Sequence, residues 1–176
     1  MNGAKFNVLL YSDESRSASF ALAYTAMLMT NMPNMSLAVV TIKESNRGSN
    51  TETINQDSWP VSHQSERMKI ILDILSARKA DIHHQVIYCN PNIPDTANAL
   101  LEYARKKSID LIVIGAGDVG TLKGLIFGSL AHTLQKKSPI PVLQVKNFSE
   151  DFLERYKSKP SQALRLLEID KQNGDC

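Results

Sequence analysis

Short, continuously apolar runs alternate with helical periodicities along this chain. Five runs have strand character: Phe6–Tyr11, Leu37–Ile42, Gln85–Tyr88, Leu111–Ile114 and, after a Pro-Ile-Pro break, Val142–Val145. Most are apolar throughout rather than alternating, the pattern of strands buried on both faces. Between them the period changes. Ser15–Thr30 is apolar almost all round (Phe20, Leu22, Tyr24, Met27, Leu28), as in a well-buried helix. Met68, Ile71, Leu72 and Leu75 share one helical face, as do Ala97, Leu100, Leu101 and Ala104, and again Phe127, Leu130, Ala131 and Leu134.

The resulting order, β-α-β-α-β-α-β-α-β, predicts an α/β fold: a doubly wound, five-stranded parallel sheet with helices on both faces. A flavodoxin-like, Rossmann-like strand order is expected, with a crevice outside the C-terminal ends of the first and fourth strands. Two segments stand apart from the alternation. Glu44–Gln64 is polar and long for a connection, with Trp59-Pro60 its only hydrophobic anchor, and reads as a mobile surface loop. From Ser149 onward, Phe152, Leu153 and Tyr156 precede Pro160, then Ala163, Leu166 and Leu167 follow, predicting a helical tail that packs on its own domain or across a dimer. The expected organisation is one domain over residues 1–147 and a tail over 148–176.

Composition narrows the function classes. The 176 residues are 43% hydrophobic and 22% charged, with 20 Lys+Arg against 18 Asp+Glu, so no strong field points to nucleic acid or to an anionic membrane. Cys89 and Cys176 are too few for a disulfide framework and read as free thiols in a reducing compartment. Asp13 and Glu14 follow the first apolar run too closely for a signal peptide, so a cytoplasmic protein is expected.

The chemistry-bearing stretch is Leu111 to Val145. Gly115, Gly117 and Gly120 spell GxGxxG directly after a strand, the dinucleotide fingerprint. Its context is wrong for that use: only one strand remains before the tail, no acidic residue ends that strand, and the helical face begins only near Phe127. The whole stretch instead resembles the signature loop of universal stress proteins. There a strand ends in glycine, a second glycine follows three residues on, and Gly-Ser or Gly-Thr comes ten later. Gly115 and Gly128-Ser129 fit that spacing without a gap, and Pro139-Ile140-Pro141-Val142 matches the turn into the last strand. Such glycines let backbone amides reach phosphate oxygens, and Gly128 and Ser129 would add donors near a helix N-terminus. The second glycine of the signature falls on Asp118, preceded by Gly117 where the family commonly has His. A carboxylate beside a triphosphate is repulsive unless a metal bridges them or the side chain turns away.

The resemblance extends over residues 5 to 146. VLLYSDES resembles the family's first strand, its aspartate and the serine two residues later, here Asp13 and Ser15; this implies that Asp13 faces the adenine or ribose side of a nucleotide cleft, with Ser12 among the binding residues. Helix capping by Asp13 or Ser15 is compatible with that role. Ile42, ending the second strand, takes the place of the residue that touches the base. Asn92 stands where the family has a turn glycine, and asparagine tolerates the left-handed region. The resemblance implies ATP or another adenine nucleotide, with Mg²⁺ or Mn²⁺, and a homodimer formed through Val142–Val145. A nucleotide-free homologue acting through protein contacts is the alternative, and a nucleotide hydrolase a more distant one.

No catalytic constellation is legible. His83 and His84 are adjacent in a strand and point to opposite faces; His63 and His132 are isolated; Cys89 has no assignable base. There is no GxxxxGK followed by Ser or Thr, SDES is not a pyrophosphatase loop of the SGGxDS type, and Lys123 has no partner motif. No enzyme is expected.

Overall fold

The computed structural model describes residues 4–13, 15–45, 51–53, 80–116 and 129–148. Its elements are β1 (Phe6–Tyr11), α1 (Arg16–Asn31), β2 (Met35–Glu44), β3 (Thr51–Thr53), β4 (Asp81–Cys89), α2 (Ile93–Lys106), β5 (Leu111–Gly115), α3 (Ser129–Lys137) and β6 (Val142–Val145). The sheet order is β3-β4-β2-β1-β5-β6. Five strands run parallel, so the doubly wound sheet expected from the alternation is present. The helical face from Met68 to Leu75, residue Phe127 and the tail lie outside the described residues.

The sixth strand is an addition. Part of the polar segment assigned to a surface loop pairs antiparallel with β4, Thr51 opposite Ile87 and Thr53 opposite Gln85. A three-residue Thr-Glu-Thr strand carries no apolar pattern, because an edge position needs only backbone partners.

Why these runs become strands is visible in their burial. Val8, Leu9 and Leu10 of β1 are all fully buried, so successive side chains enter different cores on the two faces. Val8, Leu10, Leu37, Val39 and Val113 pack beneath α1. Leu9, Val40, Ile112 and Ile114 face α2 and α3, meeting Ala97, Leu100, Ala131 and Leu134. Each such side chain removed from water stabilises the fold by about 1.5–3 kcal/mol. β4 departs from the pattern: Ile82 is buried and His83 exposed, so its first half alternates and the strand starts at Asp81 rather than Gln85. None of the described helices is long and apolar enough to cross a membrane.

The helix ends are held by specific chemistry. Ser15 caps α1, its hydroxyl accepting from the Ala18 N–H at 3.2 Å. Pro33 follows the C-cap residue Met32, where the helix can no longer continue. Asn92 caps α2 in an extended conformation, φ −100° and ψ 160°, accepting from the Asp95 N–H at 2.8 Å. The left-handed region that asparagine tolerates is not used here: Asn92 serves through its side-chain acceptor. At the other end of α2, Ile109 donates to Ala104 and Ser108 to Arg105, with Ser108 at φ 49°. This is the double-bonded C-terminal turn that glycine usually completes.

Two predictions follow from these contacts. Replacing Ser108→Gly removes the penalty of a left-handed Cβ and should raise stability by about 0.5–1 kcal/mol, read as a shifted urea midpoint. An unchanged or lower midpoint contradicts the strain. The second concerns His84, which is buried and hydrogen-bonded through Nε2 to the Thr41 hydroxyl at 3.1 Å. Burial, helped by the Lys43 ammonium, pushes its pKa from 6.5 down to about 4. The unfolded chain thus takes up a proton that the native chain refuses, so stability is full above pH 6.5 and falls as pH drops towards 4. His84→Asn should flatten that part of the stability–pH curve, and an unaltered slope would show that another group is responsible.

Candidate functional site

β1 sits between two neighbours whose connections diverge: the chain leaves β1 through α1 towards β2, and leaves β5 through α3 towards β6. Strand order reverses here, which opens a crevice at the C-terminal ends of β1 and β5. Register fixes who meets there. Tyr11 pairs with Ile114 on one side and Val40 on the other, so Ser12 falls level with Gly115, and Asp13 level with Ile42.

Gly115 is tied to this point by sterics. A Cβ on it would stand 2.5 Å from the carbonyl carbon and oxygen of Ser17, and 2.8 Å from the Ala18 nitrogen. These are backbone atoms of the first turn of α1, which cannot yield as a flexible side chain can. The glycine lets the helix rest directly on the strand end. Beyond it, the Ala116 N–H donates to the Val145 carbonyl at 2.7 Å, which carries the β5–β6 pairing into the crevice.

The β1 side is ordered by a chain of short polar contacts. Ser12 is buried, and its N–H donates to the Val40 carbonyl at 2.9 Å. Asp13 is exposed and accepts from the Ser15 N–H at 3.1 Å through Oδ1. The Ser15 hydroxyl lies 2.9 Å from that of Ser17 while capping α1. Capping and cleft position therefore coexist, because the cap of a helix that starts at the switch point necessarily borders the crevice. Ile42 is half-buried against the core on the α2 side.

Of the residues singled out in the sequence, the register brings Ser12, Asp13, Ile42 and Gly115 to one edge of the sheet. Ser129 is the first residue of α3. Gly117, Asp118 and Gly128 lie outside the described residues, as do Gly120, Lys123, His63 and Cys176. His83 and His84 do face opposite ways: His83 is exposed beside Asp81, and His84 buried. His132 is exposed.

Sequence reasoning passed over Tyr11. Burial pushes its hydroxyl well above the usual phenol range, and the charges of Asp13 and Cys89 push in the same direction. Tyr11 is half-buried against the core on the α2 and α3 side, where its hydroxyl stays protonated. Its place as the last apolar residue of β1, immediately before Ser-Asp, was the available signal. Cys89 is buried, and its thiol is raised by burial and by the Asp95 charge against a hydrogen bond from Thr96. A thiol held in that form is a poor nucleophile. Among the described residues no group of three or more His, Cys, Asp or Glu side chains could hold a metal.

Residues 6–146 match the model of the universal stress protein family. The chain belongs to that family. The stress response protein NhaX of Bacillus subtilis is 31% identical over 137 residues, 76% of this chain and 70% of the relative. Among solved structures, a universal stress protein in complex with cAMP is similar over 81% of this chain and 98% of its own, at 22% identity and a TM-score of 0.55. A family member from Arabidopsis thaliana with AMP bound covers 90% of this chain and 97% of its own, at 12% identity and a TM-score of 0.53. At such identities these two structures establish the shared fold.

The Gly115 contact yields a direct test. Gly115→Ala forces the α1 backbone away from β5 and should cost about 3 kcal/mol or more, read by denaturant unfolding. A cost below about 1 kcal/mol would mean that α1 shifts freely, and the crevice with it.

Proposed function

We propose that this universal stress protein is a regulatory stress-response module that binds an adenine nucleotide in the crevice at the ends of β1 and β5, without rapid turnover. The observation that carries this reading is the seating of α1 on Gly115. It sets Ser12 level with a side-chain-free strand end, with Asp13 level with Ile42 one residue further on. Support comes also from the cAMP- and AMP-bound relatives of the same fold. In this reading the neutral Tyr11 and half-buried Ile42 contact the base, Asp13 the base or ribose, and amides of Gly115, Gly117, Gly128 and Ser129 the phosphates. Residues 1–147 form the functional unit, acting in the cytoplasm as a homodimer paired through β6.

Asp118 sets the condition for that binding. Its carboxylate occupies the position where the signature has a glycine, so Mg²⁺ or Mn²⁺ would bridge it to the phosphates. The second reading, a nucleotide-free homologue working through protein contacts, is favoured by the same carboxylate.

Calorimetric titration of nucleotide-stripped protein with ATP and Mg²⁺ separates the two, beside the variant Asp118→Gly. Micromolar binding by the natural chain, with under about one turnover per minute, fits the proposal. Binding that appears only in the variant means a nucleotide-type cleft closed by Asp118. Silence from both removes the nucleotide and leaves the protein-contact reading.

A further inference from the structure

The opposite end of the sheet carries a second concavity. A groove of about 370 Å³ lies at the N-terminal ends of β1, β2 and β4, against the last turn of α2. Its position separates it from the crevice by the length of the strands.

Ala38, Ile109 and the ring of Tyr103 give the groove an apolar side, next to the polar Ser36, His83 and Gln85. Tyr103 is 92% buried, given its 8% exposure, yet among the described residues nothing hydrogen-bonds its hydroxyl, which opens to the groove. Burial raises its pKa, so the hydroxyl stays protonated and able to donate. Beside it, Lys107 ends α2, and among the described residues no carboxylate pairs with its ammonium.

The facing wall is already neutralised. Asp81 accepts from Lys5 at 2.7 Å and lies 2.8 Å from His83 Nε2, and these partners together with Ser36 hold its carboxyl below the usual range. Lys5 is taken up by Asp81, and the Asp110 carboxylate accepts from the Asn7 N–H, which leaves Lys107 as the groove-lining lysine without a carboxylate partner among the described residues. Three carbonyls at the end of α2 are taken up by the N–H groups of Lys107, Ser108 and Ile109. The wall is also rigid: Asn7 donates through Nδ2 to the Ser108 carbonyl at 3.1 Å, and Asn7 and Asp110 exchange two further bonds of 2.8 Å.

From this arrangement we propose that the groove is a second binding site, for a small organic monocarboxylate with a flat apolar body, such as an aromatic acid. The carboxylate meets the Lys107 ammonium and the Tyr103 hydroxyl, and the ring covers Ala38 and Ile109. The volume suits a molecule of that size. A carboxylate that gains a hydroxyl donor and a lysine ammonium with no carboxylate partner among the described residues, in a wall already held by hydrogen bonds, loses little on binding. This site is independent of the nucleotide crevice.

Titration of the ¹⁵N,¹³C-labelled full chain with benzoate, followed by NMR, tests it. Saturable shifts at Ala38, Tyr103 and Ile109, with an affinity of about 1 mM or tighter, are expected. Lys107→Gln should weaken the affinity about tenfold, and Tyr103→Phe several-fold, with the remaining spectrum unchanged. Acetate, benzamide and inorganic phosphate test the ring, the charge and the carboxylate in turn. Each should bind at least about fivefold more weakly than benzoate. Excess ATP should not displace benzoate. The proposal is overturned if benzoate causes no saturable shift, if ATP displaces it, if phosphate or acetate binds equally well, or if Lys107→Gln binds unchanged.

Discussion

The fold rests on the approach of one backbone to another. The first turn of α1 lies on the end of β5 so closely that the single methyl of an alanine at 115 has no room. That contact fixes the height of α1 above the sheet, and so the position of the Ser12–Ser15 turn that leads into it. The polar chain through Asp13, Ser15 and Ser17 then follows as the means of satisfying the donors that a helix start leaves bare. Crevice, cap and strand order are thus consequences of one steric allowance.

Much of this was legible in the sequence, for identifiable reasons. The fully apolar β1 and β5 and the all-round apolar α1 announce burial on every side, and the core has no other geometry in which to place them. Gly115 was legible as a required glycine, but the reason differed. The loop pattern pointed to phosphate access, while the structure adds helix packing, which depends on an element a hundred residues away in sequence and leaves no local signal.

The start of β4 and the strand β3 were hidden for a different reason. Strand patterns are detected through apolar side chains, and Asp81, His83 and Thr51–Thr53 are polar residues whose contribution is made by backbone bonds or by ion pairs. Asn92 was open in a different way. Asparagine tolerates the left-handed region that a turn glycine uses, and only the cap it makes on the Asp95 N–H shows that it stays extended. The groove at the N-terminal edge could not be read at all, since it joins Lys5, Asp81 and the Tyr103–Lys107 helix end from three separate stretches of chain.

The small antiparallel strand β3 has a consequence for assembly. A sheet with two long bare edges can add copies at both sides and grow without limit. Here the β4 side ends in a three-residue strand running against the rest, whose outer edge offers few groups to a newcomer. Among the described residues the other side ends in the parallel strand β6, and a copy meeting it by a twofold turn would use up both edges. Growth by such pairing would terminate after a single step, and the sheet would double without becoming a fibre.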